Sequence, residues 1–212
     1  MTSLKNHSDN IQLLNEADYM KGESCYISIH TTRWSIYKVL NHPDKWLKVL
    51  DPYDNINNSN NEISYLYELE CSYIAGEIGV GPKIYGYYIK NGDIHMIMEI
   101  IDETEIENDI TDYKTIFQNE NMYNKLLKTV DILLDNGIVN RGILPNNIII
   151  KKDGSIKILD YRKAYQIPKL SLSRAHTGIM LTLWAKKYDA RESVKAAISK
   201  RLHFIIHTEN FQ

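Results

Sequence analysis

Within Ile138 to Arg162 the chain sets polar residues at intervals that could do chemistry. Asn147 follows Gly142 by five positions, and Asp160 follows Asn147 by thirteen, a gap that a short hairpin around Asp153-Gly154 fills naturally. Read without context, Asn147 before three isoleucines caps a strand and Asp160 is a turn residue. A second group is His203 and His207, four apart on a helical pattern and therefore on one face, a spacing that suits a metal pair. It is also the histidine spacing of H-E-x-x-H, but Phe204 stands where the general-base Glu belongs. No third ligand lies nearby, so a solvated or packed pair is the better reading. There is no G-x-S-x-G and no Walker A sequence to suggest an acyl or P-loop phosphate site.

The elements that must position these residues fall in two halves. Residues 1 to about 20 read as a loose polar leader or a short helix, whose only apolar cluster is Ile11, Leu13 and Leu14. Strand-like β-branched and aromatic runs follow at Cys25–His30, Ser35–Leu40 and, after an Asn41–Asp44 turn, Lys45–Leu50. An Asn-rich loop over Asp54–Asn61 precedes a helix from Glu62 to Glu77, with Ile63, Leu66, Leu69 and Tyr73 on one face. Gly79-Val-Gly-Pro82 ends that helix. Strands Lys83–Ile89 and Ile94–Ile101 are joined by an Asn91-Gly92 hairpin signal. Tyr123, Leu126, Leu127, Val130, Leu133 and Leu134 repeat at helical spacing up to Gly137. Beyond the Asp153-Gly154 hairpin, residues 169–207 read as two helices. Strands with one helix followed by a mainly helical half predict an α+β fold.

The order and spacing of these pieces resemble a protein kinase catalytic core, seen most clearly where H-R-D-L-x-x-x-N and D-F-G are expected. Asn140-Arg141-Gly142 stands for H-R-D, Asn147 for the metal-binding Asn, and Asp160-Tyr161-Arg162 for D-F-G. The resemblance implies a two-lobed fold: a strand-rich N-lobe over 21–101 and a truncated helical C-lobe over 102–212, after the 1–20 leader. It implies that Lys48 holds nucleotide phosphates and that Glu70, on the next helix, is its ion-pair partner. It makes Met98 the gatekeeper, Glu99 and Ile101 the hinge, and Asn147 and Asp160 the magnesium ligands.

The departures from the family pattern point one way. Gly142 replaces the Asp that orients the substrate hydroxyl, and losing a positioned general base costs about 10² to 10⁴ in rate. Asn140 in place of His is expected to loosen the loop. The phosphate-covering loop, His30 to Trp34, contains no glycine, so Thr31, Thr32, Arg33 and Trp34 obstruct the close approach of backbone to phosphate. Trp46 shares a strand face with Lys48 and stands where the family keeps a small Ala as roof of the adenine pocket. It either fills the adenine space or packs in a shifted core. Arg162 replaces the glycine of D-F-G, and about fifty residues follow it with no A-P-E. The architecture is similar to minimal effector kinases of enteric bacteria of the OspG and NleH type, and to poxvirus kinase-like proteins.

The expectation is a catalytically impaired, pseudokinase-type protein that acts by binding another protein and takes ATP and magnesium weakly. The alternative is an atypical serine/threonine-type kinase using Lys48, Glu70, Asn147 and Asp160. Composition bounds the partners. A net charge of -2 gives no basis for nucleic-acid binding, and no apolar run is long enough to span a bilayer. Cys25 and Cys71 form no C-x-x-C, and the polar start resembles no secretory signal, so the expected location is cytoplasmic, in a host cell for an effector. The partner implied by the resemblance is a host or cognate protein of the ubiquitin system or a kinase pathway.

Overall fold

A computed structural model describes residues 10–24, 35–50, 61–101, 118–140, 143 and 147–166. Its first half is built on a five-stranded antiparallel sheet: β1 (Lys21–Ser24), β2 (Ser35–Val39), β3 (Lys45–Leu50), β4 (Ile84–Lys90) and β5 (Asp93–Glu99). The strand order is β1-β2-β3-β5-β4. Helix α1 (Asn61–Glu77) crosses from β3 to β4. In the second half, α2 (Glu120–Asp135) leads into β6 (Ile138–Asn140), β7 (Ile148–Ile150), β8 (Ile156–Ile158) and β9 (Ala164–Gln166). These short strands pair antiparallel as β6 with β9 and β7 with β8. The fold is α+β.

Alternation along β3 sorts its side chains between two cores. Trp46 and Leu50 join Ile36, Leu69, Ile84, Met96 and Met98 on the face toward α1. Leu47 points the other way, against Val39, Tyr88 and Ile97. Both faces are thus covered, which is why the strand buries four of its six residues. A third cluster ties α1 to the second half, packing Cys71, Ala75 and Val80 against Leu133, Ile138, Ile158, Tyr161 and Ala164. Helix α2 contributes the stripe read from sequence, with Tyr123, Leu126, Leu127, Val130, Leu133 and Leu134 all buried. Asn119 caps its start by accepting from the backbone N–H of Asn121 and Met122.

The hairpin signals hold. Asn91 and Gly92 both take positive φ, 55° and 88°, the backbone of a tight β4–β5 turn. The β7–β8 turn runs through Asp153-Gly154, with Asp153 accepting from the Ser155 N–H.

One expectation is corrected. The leader reading fails from residue 11 onward, because the chain there lies along the free edge of β4. The Tyr87 N–H donates to the Gln12 carbonyl at 3.0 Å, and the Leu14 N–H donates to the Tyr87 carbonyl at 2.7 Å. Ile11 is buried in the cluster under the sheet, and Leu14 packs on the outer face. Gly86 makes room: its φ is +152°, and a Cβ there would lie 2.4 Å from the Gln12 carbonyl oxygen. A strand that the sequence reading did not include precedes the Cys25–His30 run. β1 lies at Lys21–Ser24, where a Lys-Gly-Glu-Ser sequence carries little strand preference and pairing with β2 decides the outcome. The run Cys25–His30, the glycine-free loop to Trp34, the segment 54–60 and the helices read over 169–207, with His203 and His207, lie outside the described residues. Among the described residues, no helix is long and apolar enough to cross a membrane.

Candidate functional site

β3 and α1 place the first charged pair. Lys48 lies on the α1-facing side of β3, opposite Ile36 on β2 and Met96 on β5. Its ammonium meets the Glu68 carboxylate at 2.6 Å, with both side chains at least 96 % buried. Lys48 therefore pairs with Glu68 and not with Glu70, as the sequence reading had it. The reason is helical phase. The inward stripe of α1 runs through Glu68, Leu69, Cys71, Ser72 and Ala75, all buried. Glu70 is two residues on, about 200° round the helix, where its carboxylate accepts from the Gln166 side-chain amide at 3.4 Å. The missed signal was the small-residue stripe Cys71, Ser72, Ala75, which lies on the buried face together with Leu69 of the stripe read from sequence.

Burial is costly for both members of this pair, and each compensates the other. Burial pushes the Glu68 carboxyl above the usual range, while the Lys48 charge and hydrogen bond pull it back. Asp160 raises it further and Arg162 lowers it, so these two charges lie within electrostatic reach of Glu68.

The second polar group is built by the β7–β8 hairpin. Asn147 stands immediately before β7 and Asp160 two residues beyond β8, and the Leu159 N–H donates to the Asn147 carbonyl at 2.9 Å. That backbone clasp brings the side chains together: the Asn147 amide donates to Asp160 Oδ2 at 3.2 Å. Asp160 Oδ1 accepts from the Arg162 backbone N–H at 2.8 Å. The Arg162 guanidinium lies 3.6 Å from Oδ2. The Asp160 carbonyl in turn accepts from the Asn140 side-chain amide at 2.6 Å, a buried bond spanning twenty positions. The expectation that Asn140 loosens this loop is corrected, since it ties β6 directly to the backbone of Asp160.

The remaining candidates are placed as follows. Met98 is buried and pairs across the sheet with Trp46 on one side and Ile84 on the other. Trp46 does share a face with Lys48, and its indole is enclosed among Ile36, Leu69, Met96 and Met98. Glu99 ties the end of β5 to its neighbours, accepting from the Lys83 N–H at 2.9 Å and lying 4.0 Å from the Lys157 ammonium. Ile101 is buried. Gly142 lies outside the described residues. Tyr161 is fully buried among α1 and β8 residues, and burial holds its phenol well above the usual range. The Cys71 thiol, buried beside it, is pushed up to about 12, chiefly by desolvation, and is a packing group.

The resemblance assigns a magnesium ion to Asn147 and Asp160, and these residues fit one poorly. Magnesium demands near-octahedral oxygen ligands and usually takes one or two carboxylates plus substrate phosphates. Here the single carboxylate already accepts from two N–H groups and faces a guanidinium. Among the described residues, no group of three or more His, Cys, Asp or Glu could hold a metal ion.

Comparison with known proteins matches residues 24–198 to the protein kinase domain. Similar proteins include mitogen-activated protein kinase kinase 10 of Arabidopsis thaliana, 26% identical over 156 residues, covering 71% of this chain and 47% of the relative. Sperm motility kinase 2A of Mus musculus is 24% identical over 110 residues, 43% of this chain and 22% of its own length. Serine/threonine-protein kinase D of Synechocystis is 29% identical over 109 residues, 50% and 21% respectively. The chain spans less than half the length of each of these relatives.

Proposed function

Because the chain belongs to the protein kinase domain family, we propose that it is a pseudokinase, a kinase-fold protein that works by binding another protein. The observation that carries this reading is Gly142, five residues before Asn147, where the family's Asp accepts the substrate proton. A glycine there offers no group to hold or deprotonate a hydroxyl. Two features support it. Trp46, in place of a small roof residue, stands opposite Met98 in the β3–β5 register. The connection between β1 and β2, residues 25–34, has no glycine to let backbone N–H groups cradle phosphates. Lys48–Glu68 and Asn147–Asp160 then serve as internal ties that hold α1, β3 and the β7–β8 hairpin in register. The partner is a host or cognate protein, and ATP binding is weak.

The second reading is an atypical kinase, favoured by the 2.6 Å Lys48–Glu68 pair. Positioning and electrostatics supply most of phosphoryl-transfer catalysis, so a missing base slows the reaction without forbidding it. Incubation with γ- and α-labelled ATP, host-cell lysate and Mg²⁺ or Mn²⁺ separates the readings. No transfer of either label is expected. Transfer that disappears in Lys48→Met overturns the pseudokinase assignment.

A further inference from the structure

Arg162 has no counterpart in the family pattern, and its position on Asp160 has a consequence for metal binding. The Asp160 carboxylate is buried, and a buried carboxylate needs a compensating charge or several hydrogen bonds. Where a divalent ion supplies that compensation, the carboxylate must keep an oxygen directed at it. Here Oδ1 is engaged by the Arg162 backbone, and Oδ2 is shared between the Asn147 amide and the Arg162 guanidinium. One residue thus engages both oxygens, one through its main chain and one through its side chain. Lys48 is paired with Glu68 at 2.6 Å, while the Arg162 guanidinium lies 3.6 Å from Asp160. Among the described residues, Lys48, Glu68, Asp160 and Arg162 bring two cations and two carboxylates to these pairs.

We propose that Arg162 is a built-in counter-ion for Asp160 which takes the charge-balancing place of a divalent cation, making this cleft metal-independent. The proposal rests on reading the cleft as kinase-type, but not on whether the protein transfers phosphate. Arg162 is about one-third exposed, so its head can be removed without opening the core. With Arg162 gone, Asp160 and Asn147 retain a carboxylate and an amide at one point, and the carboxylate regains an oxygen for a metal.

The test uses the full chain with Mn²⁺ as probe, no nucleotide and no acceptor, read by thermal unfolding and by electron paramagnetic resonance of bound Mn²⁺. Wild type is expected to show the same Tm in millimolar Mn²⁺ and in EDTA, with no bound Mn²⁺ that depends on Asp160. Arg162→Gly should unfold about 2–6 °C lower in EDTA and recover with Mn²⁺ in a saturable manner. Arg162→Gln, which keeps bulk without charge, should do the same if the glycine variant folds poorly. The gain should vanish when Asp160→Asn is added. Saturable wild-type Mn²⁺ binding that Asp160→Asn abolishes would overturn the proposal, as would the absence of any metal response in both Arg162 variants. Because no ATP is present, either outcome stands apart from the labelled-ATP experiment that tests the functional reading.

Discussion

The two polar groups of the candidate site differ in how far they follow the family pattern. Between β3 and α1, Lys48 and Glu68 remain as the family pattern has them, buried and in contact. In the sequence from β6 to β9, the resemblance puts Gly142 at the base position and Asn140 at that of the usual His, and Arg162 follows Asp160-Tyr161. The difference follows from what each residue is bonded to. Lys48 and Glu68 are bonded to each other in the interior, so losing either leaves an uncompensated charge and destabilises the fold. A catalytic base is directed at substrate, and folding places no demand on it. Asn140 lies between these cases: the residue type has changed, yet a side-chain donor to the Asp160 carbonyl is present.

That contrast can be broken by substitution, and the largest effect belongs to the buried pair. Lys48→Ala or Glu68→Ala alone should cost about 3–5 kcal/mol, seen as a Tm fall of about 6–15 °C. The double variant Lys48→Met/Glu68→Leu should recover most of it, because no charge is then stranded. A double variant as unstable as the singles would show that the pair is held for some other reason. Next comes Asn140→Ala, which leaves the buried Asp160 carbonyl without that donor and should cost about 1–3 kcal/mol in urea unfolding. Asn140→His tests whether any donor of suitable reach suffices.

A smaller effect comes from the outer face of the sheet. His95 is buried and stacks on Tyr88 with ring centroids 4.8 Å apart. Burial holds its pKa below the usual value; Lys21 and Lys90 add to this, while Asp93 and Glu16 oppose it. A depressed pKa means that the unfolded chain takes up the proton first. The stabilisation from neutral His95 is therefore present above pH 6.5 and is lost as pH falls toward the folded value. Tm measured from pH 7.5 down to 5.5 should fall, and His95→Phe should flatten that slope. The smallest effect is Glu70→Ala, expected within about 0.5 kcal/mol of wild type. Equal losses at Glu70 and Glu68 would contradict the helical phase seen here.

Much of this arrangement was legible in the sequence where the signal was local. Asn91-Gly92 and Asp153-Gly154 announce their turns, and the stripe from Tyr123 to Leu134 announces α2, because each rests on backbone rules or on a repeat within one element. The spacing of Asn147 and Asp160 gave their contact, since the hairpin between them fixes their separation. What escaped depended on partners far along the chain. β1 has no strand composition and forms by pairing with β2. Glu68 and Glu70 are equivalent on composition, and only the packing of Cys71, Ser72 and Ala75 against distant residues selects between them. Asn140 read as a loss because its acceptor lies twenty residues away.

The strap over residues 11–14 bears on where a recombinant fragment should begin. The kinase-domain match starts at residue 24, and a fragment cut there would follow the family boundary and still be short of a piece of its core. It would lack Ile11 and all of β1 but Ser24, leaving β2 without its neighbour and the Tyr87 peptide groups, now bonded to Gln12 and Leu14, facing solvent on β4. An unpaired strand edge is a template for a second chain. Sedimentation velocity should show the 24–198 fragment associating with concentration and a 10–198 fragment not doing so. The packed core thus reaches back to residue 11, ahead of the family match at residue 24.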